Sequence, residues 1–130
     1  TAEVRVIPKI TGSFGQLSAA VATPLAMVLT ELLQNALQHG FADPRAAREQ
    51  GLLEVVVMRE PDRLTVTVAD SGVGLPEGFD LDSATSLGLQ IVRTLVVGEL
   101  GGRLRITPRP GGGTEALVDL PVGQDREAIT

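Results

Sequence analysis

The sequence predicts a two-layer α/β sandwich: one mixed, mostly antiparallel sheet covered on one face by helices. Three observations carry that prediction. Apolar residues alternate in short runs, and four of these runs fall into two adjacent pairs joined by turn residues. Two longer stretches repeat their apolar residues every three or four positions, the period of a helix packed on one face. The chain order is strand, helix, two strands, loop, helix, two strands, with too few helices to cover both faces of a sheet.

Each element has a local reason. Residues 3–8 (EVRVIP) alternate and read as a strand, and Thr11 to Gly15 connects it onward. The first helix is expected to open near Thr23 as N-cap with Pro24 in its first turn, and to stop at Gly40. Its core face would be Leu29, Leu32, Leu33, Ala36 and Leu37. Residues 42–51 are polar and read as a short helix or an exposed loop. LLEVVVMRE and RLTVTVAD flank Pro61-Asp62, which is a hairpin signal. Ser71 to Ser86 is glycine- and acid-rich without periodicity. SLGLQIVRTLVVGEL places Leu87, Ile91 and Leu95 beside Leu89, Val92 and Val96, a helix ending at Gly101-Gly102. RLRITPR and TEALVDLP close the fold as a hairpin across PGGG. Residues 1–122 make one domain, and 123–130 a frayed tail.

Composition narrows the function. At 130 residues the chain suits a single domain with a real core. Three Phe, with no Trp or Tyr, argue against a platform of stacked rings for sugars or single strands. The net charge is −5, Lys9 is the only lysine, and ten arginines are scattered without a basic run. A direct nucleic-acid footprint is therefore not expected. The absence of cysteine excludes disulfides and thiolate metal sites. No uninterrupted apolar run approaches the ~20 residues of a membrane span, and the expected setting is cytoplasmic.

Several polar residues sit where a plain fold would not need them. Leu64, Val66, Val68 and Asp70 share one face of their strand, so Asp70 points to the buried side. A buried charge is costly unless it is paired or hydrogen-bonded. Asp70 either caps a turn of its own SGVG loop or accepts a hydrogen bond from a ligand, and Gly72 and Gly74 leave room for something flat. Glu31, Asn35 and His39 recur at i, i+4 and i+8 as one stripe beside the helix core. Alone, that stripe also describes a solvated edge. Gly88 opens the second helix, where free amides favour an anion, and Gly111-Gly112-Gly113-Thr114 reads as a hairpin turn. A P-loop is absent because Lys9 precedes Ile10, and GxGxxG fails at Glu77.

ELLQNALQHGF, DSGVGLP, SLGLQIV and GGGTEALVDLP, in this order, resemble the four motif boxes of the GHKL (Bergerat-fold) ATPase superfamily. Within it, TPLAMVLTELLQNALQHGF is similar to the catalytic ATP-binding domain of sensor histidine kinases with the second type of dimerisation and phosphoacceptor domain. The resemblance implies that Asp70 holds the adenine amine, with Gly72, Gly74 and Leu75 around the ring. It implies Mg2+ on Asn35, with Glu31 nearby as the catalytic group and His39 beside phosphate or ribose. Leu87, Gly88 and Leu89 would face the phosphates, Thr114 would brace them, and 75–86 would form a lid ordered only with ATP bound.

Two positions depart from the family pattern. Gln38 stands where a basic residue is usual, and Ser86 where a glycine is usual, which implies modest ATP affinity. The implied reaction is γ-phosphoryl transfer to a histidine on a dimerisation domain outside this chain, within a homodimeric kinase that serves a response regulator. Alone, the domain is expected to bind ATP without autophosphorylating. The same fold also serves anti-sigma-factor serine kinases, and a degenerate nucleotide-binding interaction module is the reading from outside catalysis.

Overall fold

The computed structural model describes residues 5–40, 50–72 and 86–123. The element order is β1 (Arg5–Thr11), α1 (Ala19–Asn35), β2 (Gln50–Glu60), β3 (Arg63–Asp70), α2 (Leu87–Arg93), β4 (Arg103–Pro108) and β5 (Thr114–Pro121). Both helices run on into a wider π-type segment, Ala36–Gly40 after α1 and Thr94–Glu99 after α2. The five strands lie in the order β1-β2-β3-β5-β4, with β1 parallel to β2 and every other pair antiparallel. The expected mixed sheet under helices is the observed one.

β3 is the middle strand, and the alternation predicted for it holds. Leu64 and Val66 are fully buried, and Val68 and Asp70 nearly so. Across it lie Val57, Val55 and Leu53 of β2 and Leu120, Val118 and Ala116 of β5, all buried. From α1 and its continuation the buried stripe is Val21, Leu25, Val28, Leu32 and Ala36, and Val92 and Val96 complete the core from α2 and its continuation. These two valines are inaccessible, so truncating either to Ala would cost on the order of 1–3 kcal/mol in lost burial and cavity.

The structure corrects several boundaries. α1 begins at Ala19 with Ser18 as N-cap, not at Thr23, and Pro24 lies inside it. The apolar stripe explains this, because a start at Thr23 would leave Val21 out of the core. A proline so near the N-terminus removes a single intrahelical bond. Leu37 and Leu87 are exposed rather than buried, since both fall off the stripes set by Leu32–Ala36 and Val92–Val96. β1 continues past Pro8 to Thr11, which an edge strand tolerates on its open side. Val122 is buried, and its N–H donates to the Asp62 carbonyl at 3.0 Å. Most of 42–51, most of the 75–86 lid and the tail from 124 lie outside the described residues.

One helix among the described residues, Ala19–Gln38, is long and apolar enough to cross a membrane. That differs from the expectation drawn from uninterrupted runs, because helical length counts the polar positions too. The buried stripe of this helix packs on the sheet, the behaviour of a core helix.

Candidate functional site

Asp70 ends the middle strand, opposite Leu53 on β2 and Thr114 on β5. Its side chain is 5% exposed, the one buried polar or charged residue among the described residues. The next residue keeps the backbone pinned. Ser71 donates its N–H to the Leu52 carbonyl at 3.0 Å, and its hydroxyl accepts the Leu52 N–H at 2.8 Å. The chain then turns, and the Gly72 N–H donates to Asp70 Oδ1 at 2.9 Å. The local turn cap anticipated for Asp70 is therefore real.

That cap does not exhaust the carboxylate. Burial pushes the Asp70 carboxyl above the ordinary carboxylate range, and the N–H groups of Gly72 and Thr114 with the Arg109 charge partly offset it. Two oxygens offer about four lone-pair positions, and two backbone donors use only part of them. A ligand N–H entering from the helix side meets an acceptor that is already oriented.

The second centre lies between the helices. A Cβ placed on Gly88 would sit 2.7 Å from Glu31 Oε2, so the Glu31 carboxylate occupies the space that the missing side chain leaves. Gly88 is needed for close approach, a role that the sequence pattern alone left as an anion site. Ser86, the departure from the glycine box, is the N-cap of α2 and accepts the Leu89 N–H at 3.3 Å. The Leu89 amide is thus engaged, while no bond within the helix uses those of Leu87 and Gly88. The methyl of Gly88→Ala would displace the end of the Glu31 side chain.

Asn35 closes α1 one turn after Glu31, half-buried, where the helix widens into Ala36–Gly40. Such widened turns recur at functional positions. His39 falls in the widened segment, and nothing of its side chain is described. Gly74 and Leu75 lie outside the described residues. Asp70, Gly72 and Thr114 meet at one end of the sheet, and Glu31 meets Gly88 between the helices. No cluster of three or more His, Cys, Asp or Glu capable of caging a metal occurs among the described residues. One carboxylate and one amide oxygen on adjacent turns fit a hard ion that takes its other ligands from phosphate and water.

Two residues escaped the sequence reading. A Cβ on Gly113, whose φ is +105°, would run into the Asp70 carbonyl oxygen. Arg109 closes the same turn and contributes positive charge to the surroundings of Asp70. The PGGG run signalled only a turn, and nothing local linked it to β3.

The family model for histidine kinase-, DNA gyrase B- and HSP90-like ATPases matches residues 20–124. The sensor histidine kinase PdtaS of Mycolicibacterium smegmatis is 47% identical over 113 residues, covering 87% of this chain and 22% of that protein. Blue-light-activated histidine kinase 2 of Erythrobacter litoralis is 42% identical over 105 residues, covering 81% and 29%. The solved histidine kinase domain of the Erythrobacter litoralis EL346 blue-light-activated kinase superposes with a TM-score of 0.78 at 34% identity, covering 98% of this chain and 59% of that one. The chain therefore spans between a fifth and a third of the length of these two curated relatives. The buried strand-end carboxylate, the glycine that seats Glu31 and these matches agree that the chain belongs to the histidine kinase-, DNA gyrase B- and HSP90-like ATPase family, as a catalytic ATP-binding domain of the sensor histidine kinase kind.

Proposed function

We propose that this domain binds ATP with Mg2+ and presents the γ-phosphoryl to a histidine on a separate dimerisation domain of a homodimeric sensor kinase. The observation that carries the reading is Asp70, a buried acceptor held by two backbone donors at the end of the middle strand. It accepts the adenine exocyclic amine, with Gly72 leaving room for the ring; Gly74 and Leu75, which the resemblance assigns to the same pocket, lie outside the described residues. Thr114 braces that wall from β5.

Asn35 would hold Mg2+, with Glu31 beside it, and when bound the ion supplies charge neutralisation at the phosphates. Glu31 orients the attacking histidine nitrogen. The amides of Leu87 and Gly88 face the phosphates at the start of α2, Leu89 lines that turn, and His39 lies beside phosphate or ribose. The transfer itself is a matter of position and charge. The phosphoryl then passes to a response regulator in a cytoplasmic signalling pathway. Support for the histidine acceptor comes from the relatives, both of which are histidine kinases.

The test supplies γ-labelled ATP and a dimerisation domain bearing the acceptor histidine. Label that appears on that domain and is lost in acid but not in alkali supports phosphohistidine. Acid-stable label points to a serine kinase, and no transfer to a bare binding module. Asn35→Ala should remove the Mg2+-dependent part of ATP affinity and lower transfer about 100-fold, as for loss of one stabilising group in a transition state.

A further inference from the structure

The sheet ends at β4, whose outer edge has no neighbouring strand among the described residues. Across the turn that follows, the Arg109 N–H donates to the Gly113 carbonyl at 3.0 Å. Hydrogen-bonded pairs alternate along an antiparallel ladder, so Thr107, Arg105 and Arg103 turn their backbone groups toward β5. The N–H and C=O groups of Leu104 and Ile106 therefore point outward. Pro108, which has no N–H to offer, shares their parity.

Positive charge gathers on the same edge. A groove of about 380 Å³ follows β4, lined by Arg93 and Val97 from the second helical stretch and by Arg103, Leu104 and Arg105. A chain of net charge −5 thus places three of its ten arginines around one groove. The one carboxylate in that lining is already taken: Asp119, in register with Arg103, binds Arg63 at 2.7 and 2.9 Å. Arg103 and Arg105 are exposed, and their side chains form no ion pair or hydrogen bond among the described residues. Strand alternation separates charge from apolar surface. Leu104 and Ile106 pair with Val118 and Ala116 on the core side, and Val97 is 53% exposed, while Arg103 and Arg105 stand on the opposite face.

We propose that the β4 edge is a docking site for an extended acidic segment of a partner protein, added to this five-stranded sheet as a further strand. Its backbone pairs with Leu104 and Ile106. Acids at alternate positions meet Arg103 and Arg105, and the apolar residues between them cover Leu104 and Val97. A small anion is a poorer match, because the arginines are exposed and line an edge instead of closing around a point. A second copy pairing edge to edge would set its own Arg103 and Arg105 beside these, like charge against like.

The experiment records amide shifts and hydrogen exchange of the 15N-labelled chain with a capped peptide of alternating glutamate and valine. Companion probes are a lysine–valine peptide, the glutamate–valine peptide N-methylated at every residue, and oligothymidylate. The glutamate–valine peptide should give saturable shifts centred on β4 and slow the exchange of the Leu104 and Ile106 amides. Arg103→Glu combined with Arg105→Glu should weaken it about tenfold at an unchanged melting temperature, the scale of two exposed ion pairs reversed. The lysine and N-methylated peptides should not bind. No shift on β4, or equal binding by the charge-reversed variant, overturns the proposal. N-methylated peptide binding as tightly as its parent overturns the added strand. Oligothymidylate binding at β4 where the peptide fails overturns it in favour of a phosphate-backbone partner.

Discussion

Asp70→Asn should weaken ATP binding at least ~100-fold while leaving the free domain as stable as wild type at neutral pH. The N–H groups of Gly72 and Thr114 already converge on this side chain, and in the proposed role the adenine amine would be a third donor. A carboxylate accepts all three. An amide has one oxygen, and its NH2 must face one of the donors. In the free domain the oxygen turns to the backbone donors, so the NH2 is left facing the ligand. Replacing a charge-assisted bond by a clash of two donors costs about 3 kcal/mol, which is the ~100-fold.

Stability runs the other way. Burial raises the folded-state midpoint of Asp70 above its unfolded value, so the folded state holds more protons between those two values. The contribution of Asp70 to stability is present below the unfolded midpoint and lost as pH rises through the folded one. Asn does not titrate and removes that loss. Thermal melts at pH 7 should place the variant level with wild type or above it. At acid pH the difference should shift in favour of wild type. A lowered melting temperature at pH 7 with ATP binding intact would mean that Asp70 serves the fold alone.

Gly113→Ala should be the most damaging single-methyl change in this hairpin. With φ of +105° the residue lies where a side chain is strained, and the added carbon meets the carbonyl of Asp70, a main-chain atom that cannot rotate away. Left-handed strain of about 1–2 kcal/mol and overpacking of about 1–3 kcal/mol act together. The expected loss is about 2–5 kcal/mol of stability, with ATP binding lost as Asp70 is pushed from its place. Gly111→Ala is the matched control: its φ is +86°, but nothing lies near its Cβ position. It should lose only the strain, about 1–2 kcal/mol. Equal melting temperatures for the two variants would show that the 109–113 turn does not bear on β3.

What could be read before the structure was whatever depends on neighbours in sequence. β3 and β5 have the bounds that their alternation predicted, and Asp70 lies on the predicted face. The two hairpin turns and the end of α2's continuation before Gly101 follow from proline, glycine and apolar period. What was not legible depends on contacts distant in sequence. Pro24 imitates a helix start, and only the sheet beneath shows that Val21 must be helical as well. The parallel pairing of β1 with β2 depends on a connection through α1 that alternation does not encode. Gly88 and Gly113 looked like loop punctuation, yet each makes room for a specific group, the Glu31 carboxylate and the Asp70 carbonyl. Ser86 looked like a lost glycine and is a helix cap.

The most direct measurement is a calorimetric titration of ATP into the wild-type domain and Asp70→Asn, each with and without Mg2+. Saturable binding by wild type, strengthened by Mg2+ and lost in Asp70→Asn at an unchanged melting temperature, is the predicted result. Wild type showing no heat at millimolar ATP, or Asp70→Asn binding as tightly as wild type, would contradict the role given to Asp70.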